Sequence, residues 1–380
     1  MKILITGCFH SLNTGVMAMA EAIIQKFAQE EIYIYSSPKY INIDKKRYST
    51  YTNVNVIIPP WYKYKKTSNA IIAIVALIFG YVTNKQFRYF LSSVDIAYDI
   101  SGDSISSDYG FQSSLLSLAP ISVSNRYVKN SIIAPQSLGP FNNPILRIFV
   151  KRVLGRVDKI FIREIVTSYF LKPLNLKFQE VSDLANLVQP RELKCKEYIN
   201  NSYVGLGVSS LLEKHGFLNS EGYFKGIIDQ ILFRGFNVYL INHVSYGATN
   251  DLTFAKILKN KYFRDNERVI FFNKNFTSSE WKYIYSKSKC VISARMHPTV
   301  LALSSGTPAL NLSYNHKSLG VVKLKYYPMG DVFSHDGVEC ESLEEKINLF
   351  FDNIEKITNE EKHKLIKTNT NSANSVFNNE

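Results

Sequence analysis

The sequence contains little cysteine, and the cysteines that it has are not grouped. Cys8, Cys195, Cys290 and Cys340 lie far apart in the 380 residues, and no C-x-x-C pair occurs. Zinc sites and disulfide frameworks both have characteristic cysteine spacings. The sequence therefore predicts neither, and the four side chains are expected to be reduced thiols of a cytosolic protein.

Long hydrophobic runs are also missing. The longest run, Ala70 to Val82, is shorter than the roughly 20 residues that a membrane-spanning helix needs. The first residues, MKILITG, read as a strand and lack the apolar core and cleavage site of a signal peptide. We therefore expect a cytoplasmic protein that is neither secreted nor integral to a membrane.

Acidic residues are in the minority. The chain has 32 Asp and Glu against 45 Lys and Arg, which gives a formal net charge of +13. This excess favours an anionic partner, and a phosphorylated small molecule or a membrane surface fits better than nucleic acid. The 24 Tyr and 24 Phe are expected to lie mostly in the core, so we predict no nucleic-acid partner.

Short β-branched runs recur at intervals that leave room for a helix between them. They are ILIT, IYIY, VNVII, DIAYDI, SIIA and KIFI in the first half, then YVGLGV, FNVYLI, RVIFF, CVIS and ALNL. Such runs are typical of parallel strands that helices cover on both faces. Helices are predicted over residues 221–233 and 278–288, the second opened by a capping box of Thr277 and Glu280.

The two series of strands predict an α/β protein with two Rossmann-like domains. A polar stretch at residues 187–202 separates them, which places the domains at 1–190 and 191–368. The Asn- and Ser-rich residues 369–380 are expected to be a disordered tail. Two such domains facing each other would form a central cleft at the carboxyl ends of their strands, where ligands bind in open parallel sheets.

Basic side chains directly follow the run CVIS. Arg295 and His297 precede a helix start that contains Pro298, and a helix N-terminus adds partial positive charge. Together they would form an anion site, to which Asn315 and Lys317 return after the next strand. Side chains that merely cap a sheet edge are an alternative explanation of R-x-H, and Lys317 can equally be a solvated loop lysine.

A matching set of polar residues and glycines follows strands elsewhere in the chain. The members are Asn13, Gly15, Gly102, Asp103, Gln136, Ser137, Arg163 and His243. Glycine turns let the backbone approach a ligand closely, although a strand followed by a glycine turn is common in α/β proteins. His243 either lines the cleft or is a core histidine.

The order of these motifs resembles that of the polysaccharide pyruvyl transferase family, bacterial enzymes similar in fold to the two-domain GT-B glycosyltransferases. The motifs are N-x-G at 13–15, S-G-D at 101–103, P-Q-S-x-G-P at 135–140, I-R-E at 162–164, S-D-x-A at 182–185, I-N-H at 241–243 with N-D at 250–251, and R-x-H…G-x-P…Y-x-x-K at 295–317. The resemblance covers nearly the whole chain. It implies transfer of pyruvate from phosphoenolpyruvate to a sugar as a ketal, with the first domain on the acceptor side and the second on the donor side.

The resemblance also implies that Arg163, Arg295 and His297 handle the donor. Phosphoenolpyruvate carries a phosphate and a carboxylate, which suits two guanidinium groups, and an imidazole can supply the proton that its methylene carbon gains. Asp103 is predicted to accept the proton of the attacking hydroxyl, because Glu164 can instead pair with Arg163. No metal and no cofactor are predicted, since arginine side chains can neutralise the departing phosphate.

The predicted site is thus made of catalytic and substrate-binding residues. The catalytic residues are His297, Asp103 and Arg295, and the substrate-binding residues are Arg163, Arg295, Lys317, Asn13, Gly15, Gly102, Gln136, Ser137, His243 and Asn315. Val16 stands where many family members carry an acidic residue after the N-x-G turn. The identity of the acceptor sugar, its hydroxyl pair, the ketal stereochemistry and the oligomeric state stay open.

Residues 61–90 have an apolar centre flanked by basic and aromatic residues. The flanking cations are Lys63, Lys65, Lys66, Lys85 and Arg88, and the stretch ILRIFVKRVLGR adds pairs of cations at helical spacing, Arg147 with Lys151 and Arg152 with Arg156. Such a pattern is typical of an interfacial segment and predicts a peripheral protein of the inner face of the plasma membrane. The family resemblance implies an acceptor that is a sugar or a lipid-linked oligosaccharide. A buried helix with an ordinary charged face is the alternative.

Two other functions compete with this interpretation. A GT-B glycosyltransferase using a nucleotide sugar would commonly carry a paired-carboxylate motif in its second domain, which the sequence lacks. A non-catalytic subunit of a polysaccharide assembly complex would have no need of Arg163, Arg295 and His297.

Overall fold

The chain divides into two units, each built on one parallel sheet. The computed structural model describes residues 1–8, 10–63, 79–80, 82–193, 203–215, 219–247, 250–313, 317–334 and 342–378. The first unit contains Met1–Ser11, Met19–Leu184 and Ala373–Glu380, and the second contains Leu12–Ala18 and Ala185–Ser372. The predicted pair of α/β domains is confirmed, but the N-x-G turn groups with the second unit.

The first unit has a seven-stranded sheet in the order β3-β2-β1-β4-β5-β6-β7. Its strands are β1 (Lys2–Thr6), β2 (Glu31–Tyr35), β3 (Val54–Ile57), β4 (Ile96–Asp99), β5 (Asn130–Gln136), β6 (Lys159–Ile162) and β7 (Gln179–Glu180). All six predicted strands are present. The seventh is an exposed pair of polar residues at the sheet edge, which gives no hydrophobic signal.

Helices lie between these strands in the sequence. They are α1 (Thr14–Lys26), α2 (Ile41–Tyr48), α3 (Lys85–Ser92), α4 (Phe111–Tyr127), α5 (Pro144–Leu154) and α6 (Val166–Leu171). Helix α5 shows how the sequence specifies them: Asn143 caps its first turn, with Oδ1 accepting the N–H of Ile145 at 2.9 Å. Leu146, Val150 and Val153 then face the core, each worth about 1.5–3 kcal/mol in burial.

The second unit has a six-stranded sheet in the order β10-β9-β8-β11-β12-β13. Its strands are β8 (Tyr203–Gly207), β9 (Asn237–Ile241), β10 (Val269–Phe271), β11 (Cys290–Ser293), β12 (Ala309–Ser313) and β13 (Gly330–Ser334). Its helices are α7 (Ser220–Phe233), α8 (Asp251–Tyr262), α9 (Ser278–Ser286), α10 (Met296–Leu303), α11 (Leu324–Tyr326), α12 (Leu343–Ile354) and α13 (Asn359–Asn374). Only β13 was not predicted, because its sequence GDVFS has no apolar run.

The predicted helix starts are confirmed in detail at α9. The hydroxyl of Thr277 accepts the Glu280 N–H at 3.3 Å, and the Glu280 carboxylate accepts the Thr277 N–H at 2.8 Å. This reciprocal pair is the capping box expected from the sequence. The helix ends at Ser286, two residues before the predicted end.

The prediction of a disordered tail is wrong for residues 369–378. Helix α13 continues to Asn374, and a short 3-10 turn follows over Ser375–Phe377. The Phe377 ring is buried in the first unit, where it makes edge contacts with Phe27 at 5.4 Å and Tyr98 at 5.9 Å between ring centroids. A polar composition predicts disorder, but the buried side chains of Ala373, Val376 and Phe377 anchor this segment.

No helix within the described part of the chain is long and apolar enough to cross a membrane. Most of the predicted interfacial segment, residues 64–78, lies outside the described residues.

Candidate functional site

The R-x-H motif lies at the carboxyl end of β11. Arg295 precedes α10, and the Ser293 hydroxyl accepts the Arg295 N–H and donates to its carbonyl, both at 3.0 Å. Asn311 of β12 donates to the carbonyls of Ser293 and Arg295 at 3.0 and 3.2 Å. Asn311 was not predicted as a site residue, and its signal in the sequence is a lone amide in the apolar strand ALNLS. It fixes the turn that carries both candidate side chains.

The Arg295 guanidinium forms a forked ion pair with Asp251, the first residue of α8. Nε donates to Oδ2 at 3.1 Å and Nη2 donates to Oδ1 at 2.8 Å. The Asp251 side chain is fully buried, whereas that of Arg295 is 15% exposed. Burial raises the pKa of Asp251 and the Arg295 charge opposes this, so the carboxylate depends on its arginine.

The N-x-G turn packs against the loop that follows β9. Asn13 forms an antiparallel bridge with Val244, and the Thr14 N–H donates to the His243 carbonyl at 2.9 Å. The Ser278 hydroxyl donates to the Thr14 carbonyl at 2.8 Å. These bonds hold the start of α1 within the second unit.

Gly15 lies directly against His297. A Cβ atom at Gly15 would be 2.2 Å from the imidazole Nδ1, a distance that no real side chain could keep. The imidazole is half-buried. The glycine is therefore needed for the close approach of the ring, and the motif supplies space for His297.

The His243 side chain takes part in an aromatic cluster. Its Nε2 lies 2.6 Å from the Tyr285 hydroxyl, and its ring stacks near Tyr285 and Trp281. The residue is buried. Its side chain therefore has the contacts of a core histidine, and its carbonyl serves the N-x-G turn.

The last part of the predicted motif is only partly described. Lys317 is half-buried in the second unit, and Asn315 lies outside the described residues.

In the first unit, the strand ends are organised around Asp99. This buried carboxylate at the end of β4 accepts hydrogen bonds from Thr6 Oγ1 at 2.8 Å, Ser101 Oγ at 2.6 Å and Gln136 Nε2 at 3.2 Å. Gln136 also accepts the Gly102 N–H at 2.7 Å, in a turn where Gly102 has φ +76°. Burial raises the pKa of Asp99, and these donors oppose the shift. Asp99 was predicted only as part of a strand and not as a residue that organises the strand ends.

The Arg163 side chain is buried and hydrogen-bonded to its neighbours. Its Nε donates to Ser137 Oγ at 3.0 Å and its Nη1 donates to Asp183 Oδ2 at 2.9 Å. The side chains of Arg163 and Asp183 are 3% and 0% exposed. Glu164, for which pairing with Arg163 was the alternative role, accepts the Thr167 N–H at 3.0 Å at the start of α6.

Asp103 differs from these buried groups. It is half-buried, and its carboxylate accepts a hydrogen bond from the Tyr109 hydroxyl at 2.8 Å. Partial exposure leaves it better suited than Asp99 to exchange a proton with a bound hydroxyl.

Two features of the described residues concern metal and thiol chemistry. Among those residues, no three His, Cys, Asp or Glu side chains gather in a way that could hold a metal ion. Cys8 and Cys290 are buried, and burial raises the pKa of each thiol to about 12. Neither is therefore a reactive thiolate near neutral pH.

Residues 13–316 match the polysaccharide pyruvyl transferase family, from the N-x-G turn to the R-x-H…G-x-P region. The chain belongs to this family. It is accordingly a transferase, and the family expected from the motif order is confirmed.

The chain is also similar to other proteins in sequence and in fold. The amylovoran biosynthesis protein AmsJ of Erwinia amylovora is 25% identical over 300 residues, which cover 72% of this chain and 69% of AmsJ. The UDP-GlcNAc 2-epimerase of Methanocaldococcus jannaschii matches 99% of this chain and 98% of its own with a TM-score of 0.59 and 10% identity. That of Neisseria meningitidis matches 100% and 99% with a TM-score of 0.59 and 13% identity. At such identities the solved structures show the fold alone, and they confirm the GT-B-like class.

Proposed function

We propose that the protein transfers pyruvate from phosphoenolpyruvate to a pair of sugar hydroxyls as a ketal, in the biosynthesis of a bacterial surface polysaccharide. Family membership and the similarity to AmsJ, whose name places it in amylovoran biosynthesis, support this proposal. We further propose a lipid-linked oligosaccharide as the acceptor and a peripheral position at a membrane.

The observation that carries the proposal is the second unit's R-x-H turn. Arg295 and His297 lie two residues apart at one strand end. The buried Asp251 carboxylate orients the Arg295 guanidinium, and the His297 imidazole packs against Gly15. The start of α10 adds N–H groups and partial positive charge. Since Asp251 offsets part of the Arg295 charge, we expect this helix start and Lys317 to contribute to binding of the donor's anionic groups.

The proposed reaction balances with the residues at hand. His297 donates a proton to the donor's methylene carbon, which becomes a methyl group, and C2 becomes oxocarbenium-like. One sugar oxygen bonds to C2 as its proton passes to Asp103, the C2–O bond to phosphate breaks, and the second sugar oxygen bonds to C2. Of the two hydroxyl protons, one replaces the proton given to the methyl group and the other leaves with inorganic phosphate.

Two predicted ligands, Arg163 and Gln136, form hydrogen bonds within the first unit. Arg163 is buried and bound to Asp183 and Ser137, so we propose that it orders the first unit's strand ends rather than contacting the donor. Gln136 likewise fixes the Gly102 turn. We propose that these residues frame Asp103, which stays the candidate base.

The test is product formation with defined donors. We expect the purified protein, given phosphoenolpyruvate and lipid-linked oligosaccharides, to release inorganic phosphate and to add the mass of one pyruvate less one water to the acceptor. Thermal shifts should appear with phosphoenolpyruvate and not with UDP- or GDP-sugars. Stabilisation by a nucleotide sugar, with no ketal product, would instead favour the glycosyltransferase alternative.

A further inference from the structure

One part of the first unit contains no acidic residue over a long stretch. Residues 109–157 have no Asp or Glu but carry six cations, which are Arg126, Lys129, Arg147, Lys151, Arg152 and Arg156. The stretch includes α4, β5 and α5. Lys129 is paired with Asp95, whereas the other five come from α4, α5 and the turn after α5. A chain whose acids and bases were evenly mixed would not leave such a region.

The outer face of α5 exposes apolar side chains among these cations. Ile145 and Ile148 are 55% and 65% exposed, although they belong to a helix whose other face is fully packed. Arg147, Lys151 and Arg152 are exposed on the same helix. The face therefore presents isoleucine and positive charge side by side, without a carboxylate.

Phe79 extends this face toward α4. Its ring is 51% exposed and lies 5.0 Å from the Arg152 guanidinium carbon, in a cation–π contact. The Arg126 Nη1 atom donates to the Phe79 carbonyl at 3.2 Å. The basic–apolar surface is thus formed by Phe79, Arg126, Ile145, Arg147, Ile148, Lys151 and Arg152.

We propose that this basic–apolar surface binds an anionic phospholipid bilayer. Cations pair with lipid phosphates while isoleucine and phenylalanine side chains enter the interfacial region, a combination typical of proteins that lie on membranes. Nucleic acid would satisfy the cations but would leave both isoleucines in water. This proposal assigns a surface to the peripheral membrane position proposed above and does not depend on the proposed chemistry.

The experiment measures sedimentation of the full chain with vesicles of phosphatidylcholine alone or mixed with phosphatidylglycerol, in the absence of any substrate. We expect binding to the mixed vesicles at low salt and little binding to the neutral ones. The triple variant Arg147→Gln/Lys151→Gln/Arg152→Gln should bind about 100-fold more weakly, since each cation near an anionic surface contributes roughly fivefold. Ile145→Ser/Ile148→Ser should weaken binding about tenfold or more.

Matched controls separate the surface from net charge. Lys356→Gln/Lys364→Gln/Lys367→Gln removes three exposed cations from the second unit, and Phe233→Ser/Leu324→Ser removes two exposed apolar groups there. Both controls should bind vesicles nearly as well as the parent protein. Equal losses in test and control variants, no binding to anionic vesicles, or binding to RNA with none to vesicles would each overturn the proposal. Thermal melts confirm that every variant is folded.

Discussion

Each unit has an arginine just after the carboxyl end of one of its strands, β6 in the first unit and β11 in the second, but the two side chains differ in exposure. In the first unit, Arg163 is 3% exposed and pairs with a fully buried Asp183. In the second, Arg295 pairs with an equally buried Asp251 yet remains 15% exposed, beside a half-buried His297. The same motif chemistry therefore gives a structural ion pair in one sheet and a candidate anion site in the other.

The surroundings explain this difference. In the first unit, Ser101 and Gln136 donate hydrogen bonds to Asp99, and Gln136 accepts the Gly102 N–H of the S-G-D turn. These polar groups are therefore used within the fold. In the second unit, Gly15 instead leaves space for the His297 imidazole, and Asn311 fixes the turn that carries it. A motif alone does not distinguish a scaffold from a site, because both need polar residues at strand ends.

The largest expected effect is on His297. His297→Gln should lower the rate of phosphate release from phosphoenolpyruvate by about 10²- to 10⁴-fold, since it removes a general acid. The melting temperature should change little, because the imidazole is half-buried. His363→Gln, on the exposed α13, is the matched control and should keep full activity. Near-normal turnover in the His297 variant would exclude it from the reaction.

Arg163 should matter for stability. Arg163→Ala leaves the buried Asp183 carboxylate without its ion-pair partner and should lower the free energy of unfolding by about 3–5 kcal/mol in urea titrations. The exposed Lys225–Asp229 pair gives the comparison, and Lys225→Ala should cost less than about 1 kcal/mol. A variant of Arg163 that is fully stable but no longer binds donor would assign it to the site after all.

The second unit also buries a cation that has no carboxylate partner among the described residues. Lys282 donates to the Asn186 carbonyl at 3.1 Å, and burial lowers its pKa from 10.5 to about 7. Between these two pKa values the unfolded chain binds a proton that the folded chain does not, so stability rises with pH across that window. The free-energy penalty of burying the charged lysine is fully present below its folded-state pKa.

Lys282→Met should therefore stabilise the protein by roughly 2–4 kcal/mol below the folded pKa, with a gain that disappears above the unfolded pKa. Chemical denaturation over a pH series measures this. A gain that does not depend on pH would mean that Lys282 is not neutral in the folded protein.

Gly15→Ala tests the close contact between Gly15 and the His297 imidazole. The added methyl group would meet His297 and displace it, so turnover should fall about tenfold to 100-fold. Stability should hold or rise by up to about 1 kcal/mol, since alanine favours helix more than glycine does. Gly226→Ala in α7 has open space around the new methyl group and should leave activity unchanged. Equal activity in both variants would contradict the proposed contact.

Asp251→Asn gives the smallest effect. It weakens the fork that orients Arg295, so the KM for phosphoenolpyruvate should rise about tenfold with a smaller change in kcat. Asp229→Asn, in an exposed pair, is the control for loss of one carboxylate. A loss of stability without a change in KM would make Asp251 purely structural.

Sequence patterns predicted much of the fold and part of the site. Eleven β-branched runs became strands because buried parallel strands need continuous apolar residues, whereas the edge strands β7 and β13 lack that signal. Arg295, His297 and Gly15 were found through motifs. Asp251, Asp99 and Asn311 were missed as functional neighbours, since their partners are distant in sequence.

The sequence by itself determined the two α/β units, the helix caps and the family, because periodicity, capping and motif order are local or linear properties. Only the tertiary structure decided that the Arg163 side chain is buried while that of Arg295 is partly exposed. It also decided that Gly15 faces His297 and that Phe377 anchors residues 373–378. Burial and pairing depend on which distant residues the fold brings together, and no local pattern records them.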